Sequence, residues 1–261
     1  FIGHKAKHLP KKANLVVFTA AIPKDNSEYL QAQRLGIPTL SYSEALGNIV
    51  KQCKTLAVSG AHGKSTTTAL LSLVLIKAGF NPAVIVGTKL KEFGKSNFHK
   101  GEGEWLVIEA DEYHHSFLNY SPFAAIITNI DREHLDYYKN LAEIKNAFLK
   151  FIHNIGPGGI LVVNKDNKNL FSLKNKIQKI AKQNKLRIYW YGIRDELARN
   201  KKIRDKLART LKISGEHNLS NAMAVYTMAK ALGIKDKDIF DPLSHYRGAW
   251  RRMEYRGQLK L

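Results

Sequence analysis

A glycine-rich loop between a strand and a helix is the feature that most constrains the fold of this chain. The segment VSGAHGKSTTTALL follows an apolar run at residues 55–59 that has the character of a buried strand. Residues 65–78 have the length and apolar content of a helix that ends at Gly79. Backbone N–H groups at the start of a helix attract anions. The segment therefore predicts an α/β fold with a phosphate-binding loop.

The spacing of this loop differs from the common pattern G-x-x-x-x-G-K-[ST], which would require a glycine at Val58. The chain has Gly60 instead, four residues before Lys64. In the functional interpretation, the loop backbone approaches phosphate oxygens, Lys64 contacts the β- and γ-phosphates, and the Ser65 hydroxyl binds Mg²⁺. The alternative is a glycine turn with an incidental lysine.

The rest of the chain alternates between short apolar strands and helices, which is typical of α/β proteins. Runs of β-branched residues without polar alternation favour parallel strands that are covered on both faces. Residues 194–213 are basic and helix-prone, and a domain boundary is predicted near residues 50–54. The predicted strands span 15–18, 37–40, 55–59, 83–86, 105–109, 124–128, 160–163 and 186–191, and the predicted helices span 28–35, 65–78, 141–154, 169–182 and 218–232.

Acidic residues follow a second predicted strand in the segment VIEADEYHHSFL, which contains Glu109, Asp111 and Glu112. Ligands bind at the carboxyl ends of parallel strands, and carboxylates hold Mg²⁺. Glu109 follows a run of apolar residues, so its burial requires an ion or a cationic partner. The sequence therefore predicts a metal ligand at Glu109, whereas an ordinary acidic cap of a loop suits Asp111 and Glu112 better.

A third strand is followed by a similar cluster in the segment IITNIDREHLDYY, which contains Asn129, Asp131, His134 and Asp136. His134 follows a strand of the same predicted sheet, which favours a place in the site. A lone histidine is also commonly structural or exposed, and the residues alone leave both interpretations open.

Composition limits the partners that this chain of 261 residues can have. Its mean hydropathy is −0.30, and its longest apolar stretch is too short to span a membrane. The net charge of +20 fits either a polyanionic partner or a solvated, lysine-rich surface. The single cysteine, Cys53, excludes an internal disulfide and fits a cytoplasmic protein. We therefore expect no membrane partner and no nucleic-acid partner.

Five segments, in this order, resemble the Mur ligase family: GAHGKSTTTALL, IEADEYHHSFL, TNIDREHLD, GEHNLSNAMAV and YRGAWRRMEY. They are most similar to the branch that adds L-alanine to UDP-N-acetylmuramate. The glycine loop of the family is the shorter G-T-x-G-K-[TS], so the loop here is complete for its family, with Ala61 in place of the threonine.

The resemblance implies a domain organisation and a set of substrates. Residues 1–50 would form the second half of a Rossmann-like domain that binds the UDP-substrate, with Thr19 and Ala20 near the UDP group. Residues 51–261 would form a central ATP-binding domain of the P-loop type around a mostly parallel sheet. The implied substrates are ATP, UDP-N-acetylmuramate and L-alanine, and the implied cofactors are ATP and Mg²⁺.

The resemblance also assigns roles to individual positions. The catalytic residues would be Lys64, Glu109 and His134, and the Mg²⁺ ligands would be Ser65, Glu109 and His134. The nucleotide would be bound by Gly60, Ala61, His62, Gly63, Lys64, Ser65, Thr66, His217, Asn218, Asn221 and Arg252.

Two regions of the family would lie outside this chain. A GIGGxGMS loop would precede Phe1, and a domain that binds the amino acid would follow the segment EYRGQ. We therefore expect a piece of a longer protein that is inactive alone. Three alternatives stay open: a ligase that recycles a murein tripeptide or resembles folylpolyglutamate synthase, a basic protein that binds ATP and nucleic acid, and a nucleotide-binding module without turnover.

Overall fold

A computed structural model describes residues 1–194 and 197–249. Its centre is a sheet of seven strands in the order β5-β4-β6-β3-β7-β8-β9. Every pair of neighbours in this sheet is parallel except β4 and β5, which are antiparallel. The strands are β3 (Lys54–Ser59), β4 (Ala83–Leu90), β5 (Ser96–His99), β6 (Trp105–Glu109), β7 (Ala124–Ile127), β8 (Ile160–Asn164) and β9 (Arg187–Tyr191).

A smaller sheet precedes the large one, in which β1 (Val16–Phe18) pairs in parallel with β2 (Thr39–Ser41). The helix α1 (Ser27–Arg34) connects these strands, and the Asn26 side chain caps its first turn. The helix α2 (Tyr42–Val50) then leads to the large sheet.

Helices cover both faces of the large sheet, and each face has its own apolar core. One face packs against α3, α8 and α9, and the other packs against α2, α4 and α6. This double cover explains why the strands carry uninterrupted apolar runs. The helices after α2 are α3 (Lys64–Lys77), α4 (Leu141–His153), α5 (Lys168–Phe171), α6 (Lys174–Gln183), α7 (Ala198–Thr210), α8 (Glu216–Ala231) and α9 (Asp236–His245).

Helix α3 fixes the position of the glycine loop, because the helix begins directly after it. The helix is buried around most of its circumference, and Leu70, Leu71 and Leu75 are fully buried. Each buried leucine side chain stabilises the fold by about 1.5–3 kcal/mol relative to an exposed one. Gly79, with φ of 82°, terminates the helix in the left-handed conformation. The loop at the start of the helix is therefore anchored to the core.

The mostly parallel α/β sheet that the sequence predicts is confirmed, and four details differ from the prediction. Residues 169–182, which were predicted as one helix, form α5 and α6 with a break between them. The helices α2 and α9 and the short strand β5 were not predicted. Along the described chain, none of the helices has the length and apolar character needed to cross a bilayer.

Candidate active site

The carboxyl ends of three adjacent strands meet at one edge of the large sheet. Strand β3 lies between β6 and β7, so the glycine loop after β3 is flanked by the segments that follow Glu109 and Ile127. These segments are far apart in sequence, and the strand order brings them together. Ligands of open α/β sheets bind at such an edge.

Two glycines of the loop have backbones that other residues rarely adopt. Gly60 has φ of 138° and Gly63 has φ of 83°. A Cβ at Gly60 would collide with the Thr128 hydroxyl, and a Cβ at Gly63 would lie 2.5 Å from the Asn221 Oδ1 atom. Both positions therefore require glycine for conformation and for space.

Asn129 holds the loop in its shape. The His62 N–H donates to Asn129 Oδ1 at 2.8 Å, and Asn129 Nδ2 donates to the His62 carbonyl at 2.9 Å. The Ala61 N–H donates to the Asn129 carbonyl at 3.2 Å, and the Thr128 hydroxyl donates to the His62 carbonyl at 2.7 Å. The loop is therefore bound to the adjacent strand end by four hydrogen bonds.

Lys64 is the first residue of α3, and its ammonium group turns back over the loop. Nζ donates to the Gly60 carbonyl at 2.9 Å and to the two Glu112 oxygens at 2.9 and 3.2 Å. The Asp111 carboxylate lies farther away, at 3.8 Å. A cation at a helix N-terminus adds to the positive potential of the helix dipole. The Glu112 carboxylate offsets that charge.

Glu112 is a buried carboxylate whose side chain is 3% exposed. Burial raises the pKa of Glu112 above its ordinary value, and the adjacent Lys64 ammonium opposes this rise. The backbone of Glu112 is also held in place, because the Tyr138 hydroxyl donates to its carbonyl at 2.6 Å. Glu112 is thus a fixed carboxyl group beside the phosphate loop, paired with the Lys64 ammonium.

Ser65 and Glu109 form a pair of oxygen ligands. The Ser65 hydroxyl donates to Glu109 Oε1 at 3.0 Å, and the Gly87 N–H donates to Glu109 Oε2 at 2.8 Å. Neighbouring ligands of an octahedral Mg²⁺ with bonds of ~2.0–2.1 Å lie roughly 3 Å apart. The spacing of Ser65 Oγ and Glu109 Oε1 fits two such ligands, so this pair is suited to Mg²⁺.

His134 lies at the same edge, with a left-handed backbone at φ of 55°. Its ring stacks on Tyr113 at 4.5 Å, and the Tyr113 hydroxyl donates to Asp136 at 2.5 Å. Asp111, Glu112 and His134 also place ligand atoms within 4.8 Å of one another. Glu112 already pairs with Lys64, so Ser65 and Glu109 are the better start of a cation site, and His134 lines the same cavity.

Two cavities share the loop as a common wall. One, of about 380 Å³, is lined by Lys64, Ser65, Glu109 and His134 among others. The other, of about 630 Å³, is lined by His217, Asn218 and Asn221 from α8. His62, Gly63 and Thr66 line both. The arrangement therefore offers a charged space suited to phosphates that adjoins a larger space across the loop.

A third cavity, of about 290 Å³, lies between the two sheets and adjoins the same acidic residues. Thr19 and Ala20 contribute from the segment directly after β1, and Glu109 and Asp111 contribute from the end of β6 and the segment after it. Glu109 thus lies at the boundary between this cavity and the phosphate-loop cavity.

The structure brings together most residues that the sequence predicts for the site. Ala61, His62, Gly63, Lys64, Ser65, Thr66, Glu109, His134, His217, Asn218 and Asn221 line one or both of the two loop cavities. Gly60 lies beneath the loop, against Thr128 and Asn129. Arg252 lies outside the described residues.

Sequence reasoning missed three contributions to the site. Glu112 was interpreted as an acidic cap of a loop but forms the ion pair with Lys64. Asn129 was noted only for its place after a strand, although it holds the loop. Gly87, which donates to Glu109, was not noted at all. The polar Asn129 directly after an apolar strand was the available signal, whereas the other two contacts depend on the strand order.

Two family models match the chain. Residues 58–229 match the Mur ligase middle domain, and residues 1–54 match the catalytic domain of the Mur ligase family. The UDP-N-acetylmuramate–L-alanine ligase of Caldicellulosiruptor saccharolyticus is 39% identical over 99% of this chain. The chain spans 59% of the length of that relative.

Solved structures show the same fold. The UDP-N-acetylmuramate–alanine ligase MurC from Thermotoga maritima has a TM-score of 0.80 at 26% identity, over 98% of this chain and 60% of its own. The UDP-N-acetylmuramate:L-alanyl-γ-D-glutamyl-meso-diaminopimelate ligase from Neisseria meningitides has a TM-score of 0.77. It is 21% identical, over 95% of this chain and 83% of its own, and at that identity the likeness concerns the fold alone.

Proposed function

The chain belongs to the Mur ligase family, and we propose that it is the ATP-binding part of a ligase that joins L-alanine to UDP-N-acetylmuramate. The reaction would consume ATP and release ADP and phosphate. The observation that carries the proposal is the meeting of the phosphate loop, the Ser65–Glu109 pair and the α8 cavity at one sheet edge. The choice of L-alanine rests on the names of the relatives.

The two cavities that share Gly63 and Thr66 as lining residues would each hold one part of the nucleotide. The triphosphate would lie against the start of α3, where the backbone N–H groups of the first turn point outward. The adenosine would occupy the larger cavity beside Asn218 and Asn221. Their amide groups can donate to and accept from a purine or a ribose.

Ser65, Glu109 and His134 would hold Mg²⁺ at the phosphate end of the nucleotide. Mg²⁺ neutralises charge on phosphate oxygens and orients them. The Gly87 N–H fixes one Glu109 oxygen, so the other oxygen keeps its direction toward Ser65. The stacked Tyr113 ring keeps the imidazole of His134 in place.

The chemistry requires activation of a carboxylate, which is a poor acyl electrophile. A carboxylate oxygen of the sugar substrate attacks the γ-phosphorus, and the bond from that phosphorus to the ADP oxygen breaks. The alanine nitrogen then attacks the acyl carbon, phosphate leaves, and the nitrogen loses a proton. Lys64 would stabilise the charge that shifts during the first step, and the loop would fix the geometry.

The cavity between the sheets is the proposed place for the sugar nucleotide. It adjoins Glu109, so a carboxylate bound there would lie next to the phosphate-loop cavity. Residues 1–50 would supply the Rossmann-like side of this cavity, and residues 51–261 would form the ATP-binding domain. We place the enzyme in the cytoplasm.

Measurement of ADP release tests the proposal. The full-length protein that carries this chain is assayed, because the chain spans only 59% of the relative's length. L-Alanine, glycine, L-serine and the tripeptide L-alanyl-γ-D-glutamyl-meso-diaminopimelate are compared in the presence of UDP-N-acetylmuramate, and the tripeptide is also tested with free N-acetylmuramate. We expect the highest kcat/KM with L-alanine and UDP-N-acetylmuramate.

The controls separate a failed assignment from an inactive preparation. Lys64→Met should lower kcat by ~10²-fold or more, as loss of a charge-stabilising contact does in other enzymes. If the tripeptide is the only one of the four amine substrates that supports turnover with UDP-N-acetylmuramate, the protein is a ligase like the Neisseria protein. That result would overturn the alanine assignment. ATP binding without turnover under any of these conditions would point to a nucleotide-binding module.

A further inference from the structure

The ammonium of Lys64 is oriented by two fixed acceptors. An ammonium group has three N–H donors. The Gly60 carbonyl accepts at 2.9 Å, and the Glu112 carboxylate accepts through Oε2 at 2.9 Å and through Oε1 at 3.2 Å. The Ala61 carbonyl, at 3.5 Å, is at the limit of hydrogen bonding. The Gly60 carbonyl and the Glu112 carboxylate therefore set the direction of the ammonium group, and a phosphate oxygen would take over an N–H that now serves one of the longer contacts, to Glu112 Oε1 or to Ala61.

Glu112 is built to hold this position. Its side chain is 3% exposed, and the Lys64 side chain is 12% exposed. Its carbonyl accepts from the Tyr138 hydroxyl at 2.6 Å and from the His115 N–H at 3.1 Å. A lysine side chain has four rotatable bonds and loses considerable conformational entropy when it is fixed in one rotamer. A buried and immobile carboxylate supplies that restraint before the nucleotide arrives.

A buried carboxylate is costly to a fold unless it is paired. Glu112 is 48 residues from Lys64 in sequence, so this pair also links the segment after β6 to the phosphate loop after β3. An apolar residue would cost less if the position were only structural. The ion pair is therefore better explained by a need for a directed ammonium group than by stability.

We propose that Glu112 is a positioning residue that holds the Lys64 ammonium in the direction required for phosphoryl transfer. The inference rests on the proposed function, because it gives Lys64 its target. Glu112 acts through Lys64 and needs no contact with the substrates. The triphosphate has many contacts to the loop amides in the ground state, so loss of the restraint should affect the transition state more than nucleotide binding.

The test is a double-mutant cycle in the full-length protein, with ADP release as the assay. Glu112→Gln keeps the shape of the side chain and removes its charge. We expect kcat to fall by ~10–100-fold with less than a ~3-fold change in the KM for ATP. In a Lys64→Met background, the same substitution should change kcat by less than ~3-fold.

Glu104→Gln is the matched control, since Glu104 is 70% exposed and lies before β6, at the opposite end of that strand. It should leave kcat and KM unchanged. The binding of a non-hydrolysable ATP analogue to Glu112→Gln, together with its thermal midpoint, shows whether the variant is folded. A substitution that leaves kcat unchanged, or that lowers it equally with and without Lys64, would overturn the inference. An inactive wild-type protein would count against the proposed function instead.

Discussion

A single methyl group at Gly87 tests the metal-binding geometry without altering any proposed ligand. Gly87 lies in β4, its N–H donates to Glu109, and its backbone conformation is one that alanine can adopt. In Gly87→Ala, the new Cβ would lie 2.9 Å from Glu109 Oε2 and 3.1 Å from Oε1. The substitution therefore displaces the Glu109 carboxylate from a position outside the phosphate-loop cavity.

The size of the effect follows from these distances. Ordinary contacts to a Cβ begin near 3.4 Å, so the carboxylate must retreat by about 0.5 Å. The 3.0 Å spacing between Ser65 Oγ and Glu109 Oε1 would change by a comparable amount. Mg²⁺ tolerates little deviation from octahedral geometry. Loss of a partner that orients a metal ligand typically costs ~10–100-fold in metal affinity, or about 1.4–2.7 kcal/mol.

The assay is the binding of a non-hydrolysable ATP analogue over a series of Mg²⁺ concentrations, without the sugar substrate. Leaving that substrate out matters because Gly87 also lines the cavity between the sheets. We expect the Mg²⁺ concentration for half-maximal binding to rise ~10–100-fold in Gly87→Ala. Gly156→Ala is the control, because its Cβ would make only an ordinary contact of 3.8 Å to the Pro122 carbonyl.

An unchanged Mg²⁺ dependence in a folded Gly87→Ala protein would refute the assignment of Glu109 as a ligand. A large loss of thermal stability, with a normal Mg²⁺ dependence, would show that the contact between Gly87 and Glu109 is structural. Both results can be read from the same samples by adding a thermal unfolding curve.

Three further substitutions test the glycine loop, the core and a half-buried histidine. Asn129→Ala removes two hydrogen bonds to His62, so the KM for ATP should rise ~10-fold in steady-state assays, and an unchanged KM would exclude a bracing role. Leu71→Ala should lower the free energy of unfolding by ~2–5 kcal/mol in urea, because Leu71 is fully buried in α3, and a loss below ~1 kcal/mol would contradict the packing. Burial lowers the pKa of His115, so the unfolded state takes up a proton first as the pH falls below ~6.5, and this destabilises the fold. His115→Asn should therefore lose less stability than the wild type between pH 7.5 and 5.5 in urea titrations, and equal losses would refute the linkage.

Local sequence patterns predicted those parts of the fold that depend on continuous apolar runs. Strand β6 and helix α3 are examples, because buried parallel strands and buried helices require apolar residues throughout. Helix α2 was missed, although Ser41 and Glu44 form a capping box that signals its start. The strand β5 has no apolar alternation and exists through its pairing with β4, so no local pattern could identify it.

The residues of the site also divide into those with a local sequence signal and those that depend on the strand order. Lys64, Ser65 and Glu109 could be proposed because each follows a recognisable strand and has the chemistry of its role. The ion pair between Lys64 and Glu112 could not be predicted from the sequence, because Glu112 contacts Lys64 only as a result of the pairing of β6 with β3. His134 needed the family resemblance, since a single histidine after a strand has no distinctive local signal.

A structure of the protein with a non-hydrolysable ATP analogue and Mg²⁺ tests the central claim most directly. The account predicts a γ-phosphate within hydrogen-bonding distance of Lys64 Nζ and an ion bound by Ser65 Oγ and a Glu109 oxygen at ~2.0–2.1 Å. A triphosphate bound away from the loop at residues 60–66, or an ion held by Asp111 and Glu112 instead, would contradict it.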